Sequence, residues 1–587
     1  MAAPASSEPE ILRRRAAAVP PSAFGLSGER VALALSLAAV AVLCGLPLLL
    51  LARTGLAPEG VLSLQPLAEA WESRSVRRAL WNSLESGLGS ALLATALGAG
   101  LALAVGLTDV RAKGALIFCI LLPMMIPPHV TAIAWIQALG PGSPVLRWLG
   151  LSPELGATHP LYSREGVIAL LAIQHSPLVF LAVRAALRTL PREMAEAARV
   201  SGASGARVLR RVILPLLAPS LIAGFMLAFV SALGNFGIPA LLGIPARYTT
   251  LPVLIWRRLA SFGPDVLTSV AVIAFLIAAV AVVAVAVQTV LQRRAKAALI
   301  GPPQAALAWR LGRARPWVEA GLWGVIVLIL GLPVVSLFAT ALVQTYGLPL
   351  TWETLTFRHF DEVIFRQSVT YRAFVNSTLV AGAASLVLAA LAGCLGWFLA
   401  RPRGAARRAA ELGAGMADLA YAVPGLVISI AFILAFIRPL PVIGVSLYGT
   451  LGIILLAYLA AFLSIALKPV GAAYAQIDSS LDDAARVAGA GWGRRMIRIF
   501  APLTAPAAAS GAILVFLTAY NEVTVSALLW SSGTETIGTV IFNYEDGGYT
   551  NIAAAMSGVT VIVTIGLMWG LDRAGRRLPP GVVPWRD

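Results

Sequence analysis

The sequence predicts an all-α polytopic membrane protein built as two tandem halves of six spans each, related by a pseudo-twofold. Three observations lead there. Hydrophobic residues make up 58% of the 587 and charged residues only 12%, against roughly 25% charged in an average soluble domain. The apolar residues run in stretches of about 20, the length that crosses a bilayer as a helix. A polar segment lying between two such stretches also recurs. Residues 193–219, EMAEAARVSGASGARVLRRVILPLLAP, return as residues 480–506, SLDDAARVAGAGWGRRMIRIFAPLTAP. Glu196 matches Asp483, Gly202 matches Gly489 and Pro215 matches Pro502, all at an offset of 287 residues, so the chain reads as an internal duplication.

In order, residues 1–30 are Ala/Pro/Ser-rich with Arg13, Arg14 and Arg15 and no small-residue cleavage site, and they are expected to form a cytoplasmic tail rather than a signal peptide. The first domain, 31–291, carries spans at 31–52, 80–107, 115–139, 166–187, 217–242 and 266–291. The segment before residue 80 is long enough for an interfacial helix, and 140–165 is a Gly/Pro-rich loop. Residues 292–317 gather Arg293, Arg294, Lys296, Arg310, Arg313 and Arg315 around Gly301, Pro302 and Pro303, marking a cytoplasmic linker. The second domain, 318–572, repeats the scheme at 318–342, 374–400, 412–437, 448–467, 505–530 and 553–571, before a tail at 573–587. Asn82-Ser83 recurs as Asn376-Ser377, and Pro127 as Pro424.

The net charge of +17 is no argument for nucleic acid. With both termini inside, most of the Lys and Arg fall on cytoplasmic segments, the bias that orients membrane proteins, so the bilayer is the expected partner. Cys44, Cys119 and Cys394 lie in apolar stretches, and His129, His159, His175 and His359 show no ligand spacing, so no metal site is assigned. No Gly-x-x-x-x-Gly-Lys-Ser/Thr phosphate loop occurs. The chain is therefore expected to bind no cofactor and to perform no catalysis, leaving ATP hydrolysis to another subunit.

Such a chain needs a rigid protrusion for that subunit to grip. Ala197 and Ala198, backed by Val200, make a narrow face of high helical propensity, as do Ala484 and Ala485. Glu196 and Arg199, like Asp483 and Arg486, are three apart and can pair along a helix edge. Gly202 and Gly489 are expected to end their helices in a left-handed turn, and Pro215 and Pro502 to restart the chain into the next span. Glu-Ala-Ala, Gly six residues after the Glu and Pro thirteen after the Gly resemble the EAA loop of permease subunits of bacterial ABC importers. The flanking GNFGIPALLG (from Gly234) and NEVTVSALLW (from Asn521) look like the fused ferric-iron permeases. The second copy departs from the pattern, with Asp483 for Glu and Ala501 where the first has Leu214.

The resemblance implies two type I importer permease domains in a bacterial inner membrane. The two loops would dock onto two copies of a cytoplasmic ATPase, and ferric iron would arrive from an external solute-binding protein. Thiamine or phosphonate-type solutes remain open. An ion-coupled secondary transporter would need more buried ionisable groups, and a membrane enzyme would need a nucleophile, metal cluster or carboxylate pair.

Within the spans, Glu522 beside Asn521 is the intramembrane carboxylate expected to face a cavity or a partner, since a charge at that depth costs ~2.5–3.5 kcal/mol. Its counterpart is read as Phe236, beside Asn235, where Gly234, Gly237 and Pro239 break the helix and free carbonyls. Asn235, Phe236, Asn521 and Glu522 are thus candidate path residues. Glu522 pairing with a buried donor is the structural alternative, and His129 reads as a core histidine.

Overall fold

Apolar helices in lipid satisfy their own backbone, so what shapes the molecule is where they break and how closely they approach. The computed structural model describes residues 28–57, 60–154, 156–188, 190, 192–261, 266–294, 309–401, 404–439, 444–575, 577, 579 and 582–583. The expected tail at 1–30 and the core of the linker at 292–317 lie largely outside them, as does most of the tail at 573–587.

The first half runs α1 (Gly28–Leu56), α2 (Arg74–Leu107), α3 (Lys113–Met125), α4 (Pro128–Leu139), α5 (Arg164–Arg188), α6 (Arg192–Val200), α7 (Gly205–Gly234), α8 (Leu251–Leu259) and α9 (Val266–Arg294). The second repeats it as α10 (Gly312–Ala341), α11 (Ser368–Leu399), α12 (Ala405–Ala422), α13 (Gly425–Phe436), α14 (Leu451–Tyr474), α15 (Ser480–Val487), α16 (Trp492–Tyr520), α17 (Ile537–Asp546) and α18 (Thr550–Gly575). A short helix, Gln65–Glu72, fills the segment before α2.

Among the described residues, ten helices are long and apolar enough to span, or twelve if each bent pair counts as one. Each bent pair breaks within a stretch expected to span: α3/α4 bend by 102° within 115–139 and α12/α13 by 112° within 412–437. Pro127 and Pro424 sit at the corners. The residues before them, Ile126 (ψ 132°) and Val423 (ψ 129°), are held extended, as a following proline requires.

Pro215 and Pro502 do not restart the chain; each lies inside a continuous helix. A π turn at Leu209–Ile213 precedes Pro215, and one at Met496–Phe500 precedes Pro502. The same placement recurs before Pro47 (Ala41–Gly45) and Pro333 (Val327–Gly331). In each helix the widened turn falls where a proline ring would otherwise crowd the preceding carbonyl.

The halves interlock. α1 packs on α11, α12 and α13 of the second half, and α10 packs on α3 and α4 of the first, so each first helix crosses to the opposite half. One apolar cluster runs from Val40 to Met568 through both. Within a half, small residues set the approach: a Cβ at Gly98 on α2 would stand 2.3 Å from the Ser176 carbonyl oxygen on α5, so only glycine fits.

Candidate functional site

The two loops have one geometry. α6 ends at Gly202 (φ +81°) and α15 at Gly489 (φ +78°). In each, the next residue's N–H reaches back five positions, Ala203 to Ala198 at 3.0 Å and Ala490 to Ala485 at 2.9 Å, closing the helix in the left-handed turn that glycine adopts without strain. Glu196 and Ala197 are exposed and Ala198 half-buried; Asp483, Ala484 and Ala485 repeat this. Val200 and Val487 are 90% and 91% exposed, and Met194 and Leu481, also 287 apart, are exposed too. Each loop therefore presents an apolar knob beside a carboxylate. The local pairing differs from expectation: Arg486 bonds Asp482 at 3.0 Å, not Asp483, because Asp482 faces inward toward Arg495 and Arg401. Neither Glu196 nor Asp483 is ion-paired among the described residues.

Beyond the loops, α7 and α16 carry the chain to the breaks. Both helices end earlier than the expected 242 and 530, at Gly234 and Tyr520. A side chain at Gly234 would meet Pro424 Cβ at 2.8 Å, so the first half's break abuts the second half's bend. Glu522 is therefore not inside a helical span but in the interruption after one. Its carboxylate accepts the Val525 N–H (2.6 Å, Oε1) and the Ser526 N–H (3.2 Å, Oε2). Asn235 Oδ1 accepts the Ile238 N–H at 3.1 Å. Both side chains reach three residues on, 287 positions apart, so the counterpart of Glu522 is Asn235 and not Phe236. Each satisfies donors freed by the interruption.

The Asn-Ser pairs hold the far ends of the breaks. Asn82 Nδ2 donates to the Thr249 carbonyl (2.9 Å) and Ser83 Oγ accepts the Leu251 N–H (2.8 Å). Asn376 Nδ2 donates to the Gly533 and Glu535 carbonyls, and Ser377 Oγ accepts the Ile537 N–H at 3.0 Å.

A cavity of about 550 Å³ lies between the halves, with Asn235 and Glu522 in its wall. Its lining extends toward the loop-bearing ends of the helices, to Gln288 and Thr289 on α9 and Lys468 on α14. Phe236 does not line it: fully buried, it packs at a tilt against the rings of Trp256 (5.9 Å) and of Phe542 of the second half (5.3 Å). Asn521 is also outside the wall, its Nδ2 bonded to the Leu517 carbonyl at 3.2 Å. His129 is completely buried in α4, outside the lining.

Two lining charges escaped the sequence reading. Asp418 on α12 and Lys468 on α14 both reach the cavity. An aspartate within the stretch 412–437 and a lysine at the edge of 448–467 were the available signals.

Comparison with known proteins gives the family. The family model described as "Binding-protein-dependent transport system inner membrane component" matches twice, at residues 95–297 and 392–582. "Probable ABC transporter permease protein y4fN" of Sinorhizobium fredii is 26% identical over 79% of this chain and 81% of its own length. "Ferric transport system permease protein FbpB" of Actinobacillus pleuropneumoniae is 23% identical over 81% of this chain and 68% of its own. "Probable molybdenum ABC transporter permease protein HVO_B0370" of Haloferax volcanii is 32% identical, over 34% of this chain and 70% of its own length.

Proposed function

This chain belongs to the family of binding-protein-dependent transport system inner membrane components, and from that premise we propose that it imports a hard cation, ferric iron, driven by two ATPase copies seated on its loops. That it is an ABC importer permease, a multi-pass membrane transport subunit, follows from the family. The cargo, partners and orientation are the proposal.

One observation carries the choice of cargo. The cavity wall holds two carboxylates, Asp418 and Glu522, against one ammonium, Lys468, with hydroxyl and amide oxygens from Ser231, Asn235, Gln288 and Thr289. Carboxylate, hydroxyl and amide oxygens suit a hard cation better than an oxyanion such as molybdate. The ferric-permease relative aligned along both halves supports the same choice.

In this reading the loops face the cytoplasm, away from the external binding protein, and each receives one ATPase. ATP is consumed there, and this chain needs no cofactor. Val200 and Val487, with Glu196 and Asp483 beside them, enter the partner's clefts. The cavity extends toward the loops while the Phe236–Trp256–Phe542 rings close the opposite side, so the conformation is inward-open. ATP-driven closure of the loops would spread those rings and admit solute from outside. Asn235 and Glu522 sit at the boundary, holding the interrupted backbone and offering oxygen to the cargo.

The test is ATP-dependent uptake by proteoliposomes carrying the full chain, its ATPase and its binding protein, with Fe(III) and molybdate supplied separately. Fe(III) accumulation without molybdate accumulation is the expected result. Molybdate accumulation alone would overturn the cargo while leaving the importer class standing.

A further inference from the structure

The charged part of the cavity wall comes from one half only. Asp418, Lys468 and Glu522 all belong to the second half. By the alignment of Pro127 with Pro424, Asp418 corresponds to Leu121; by the 287 offset, Lys468 corresponds to Leu181. A charged pair has been placed where the other repeat keeps leucines, and it has not been buried. The Lys468 and Asp418 side chains are 66% and 59% exposed although both line the cavity between packed helices.

The pair is loose. Lys468 Nζ stands 3.7 Å from Asp418 Oδ1, beyond the ~2.7–2.9 Å of a tight charge-assisted bond. The same Oδ1 accepts the Ser464 hydroxyl, and no bond to Oδ2 is made among the described residues. The ammonium also lies 5.3 Å from the centre of the Tyr421 ring, one turn beyond Asp418 on α12, within range of cation–π attraction. From one position Lys468 thus has two attractive groups within reach, the carboxylate and the ring. Asp418 itself lies on α12 between the cytoplasm-proposed end of the helix and the bend at Pro424 that abuts the breaks.

We propose that Asp418, with the Ser464 hydroxyl, is a second binding station for the cationic solute on its way out of the cavity. Lys468 is its tethered counter-ion, shifted to the Tyr421 ring when the cation arrives and returning to expel it. This rests on the cation reading above. A single carboxylate suits a station that must release its cargo, and no group of three His, Cys, Asp or Glu side chains able to retain a metal occurs among the described residues. Without Lys468, the station would hold a trivalent cation too long; with it, the local charge is restored at each passage.

The probe is Ga(III), a hard trivalent cation that does not change oxidation state, titrated at fixed citrate into the full chain in detergent with its ATPase attached. Lys468→Met should bind Ga(III) at least tenfold more tightly, and roughly a hundredfold if the ammonium otherwise stays within ~4 Å of the trivalent ion at the dielectric of water. ATP-driven Fe(III) uptake in proteoliposomes should slow at the same time. Asp418→Asn should weaken Ga(III) binding. The double variant Asp418→Asn/Lys468→Met, which leaves neither charge unpaired, should lose the tightening while melting like wild type. If Lys468→Met is poorly assembled, Lys468→Gln is read in its place. Unchanged or weaker Ga(III) binding in a well-folded Lys468 variant overturns the station, provided wild type takes up Fe(III). Wild-type uptake of molybdate and not Fe(III) overturns instead the cation reading on which the station rests.

Discussion

The two loops share a backbone and differ in what anchors it. At the first, Ala195 and Val208 are 4% and 0% exposed within one apolar cluster. At the second, the same two places 287 residues on hold Asp482 and Arg495, bonded at 2.8 Å with the arginine 4% exposed. A buried ion pair must have its remaining charge met, and here it is met from far away in sequence. Arg401 reaches Asp482 at 3.4 Å, and Glu29 on the crossing helix α1 lies 3.2 Å from Arg401, 3.9 Å from Arg486 and 3.7 Å from Arg495. Arg401 also covers the Trp397 ring at 4.0 Å. The loop shape therefore depends on the Gly turn and the helix face, while its attachment to the body is free to change chemistry between repeats. The second loop is tied by charge to a helix of the opposite half; the first is held by apolar packing.

The same crossing helices carry opposite signs. Arg315 holds on α10 the place that Glu29 holds on α1, each twelve residues before the π turn. Arg315 meets Asp109 at 3.9 Å, in the loop corresponding to the one that carries Arg401, and Glu319 of its own helix at 2.9 Å. Docked on the wrong half, Glu29 would face Asp109 and Arg315 would face Arg401. The sign reversal therefore favours the crossed arrangement over the uncrossed one.

The largest expected effect is at the buried pair. Asp482→Ala leaves the buried Arg495 with only the more distant Glu29 and should cost up to about 3–5 kcal/mol, read as a lowered melting temperature in detergent and reduced membrane abundance. Adding Arg495→Val, which gives the second loop the first loop's residues, should recover most of that loss; no recovery would mean that the ionic anchor does more than replace the apolar one. Next is Glu29→Gln, which removes a charge shared by three arginines but partly open to solvent, with an expected cost of about 1 kcal/mol. That variant should weaken ATPase co-purification through the second loop and leave the first unaffected; equal loss at both loops, measured by site-specific crosslinking, would break the comparison. The smallest effects should also be equal: Gly202→Ala and Gly489→Ala each force a side chain into the left-handed region at about 1 kcal/mol, with open space around both. Unequal melting shifts would show that the two turns are not alike.

Much of this was legible because spacing survives where identity does not. The duplication, the exposed helix face, the terminating glycines and the recurrence of Asn-Ser and of Pro127/Pro424 all stand on short local patterns. The bends did not show, because an apolar run around a proline reads the same straight or folded. Nor do the π turns: a proline in sequence marks a boundary, whereas a widened turn lets the helix pass through Pro215 and Pro502. The counterpart of Glu522 was off by one residue, since only the capping bonds reveal that Asn235 does the same work. That Arg486 pairs with Asp482 rather than Asp483 has no local signal, because facing direction on a short helix is set by partners such as Glu29, hundreds of residues away. Asp418 and Lys468 were each lone charges at the margin of an apolar stretch, and a cavity formed between halves has no signature in either half alone.

The central claim is that both loops, despite their different anchors, transmit the drive to one path. It is tested most directly by ATP-driven solute uptake in proteoliposomes for Glu196→Arg combined with Asp483→Arg, two exposed positions outside both anchors. Wild-type abundance and melting, with ATPase co-purification reduced and uptake abolished, is the predicted result. Uptake at the wild-type rate would contradict it.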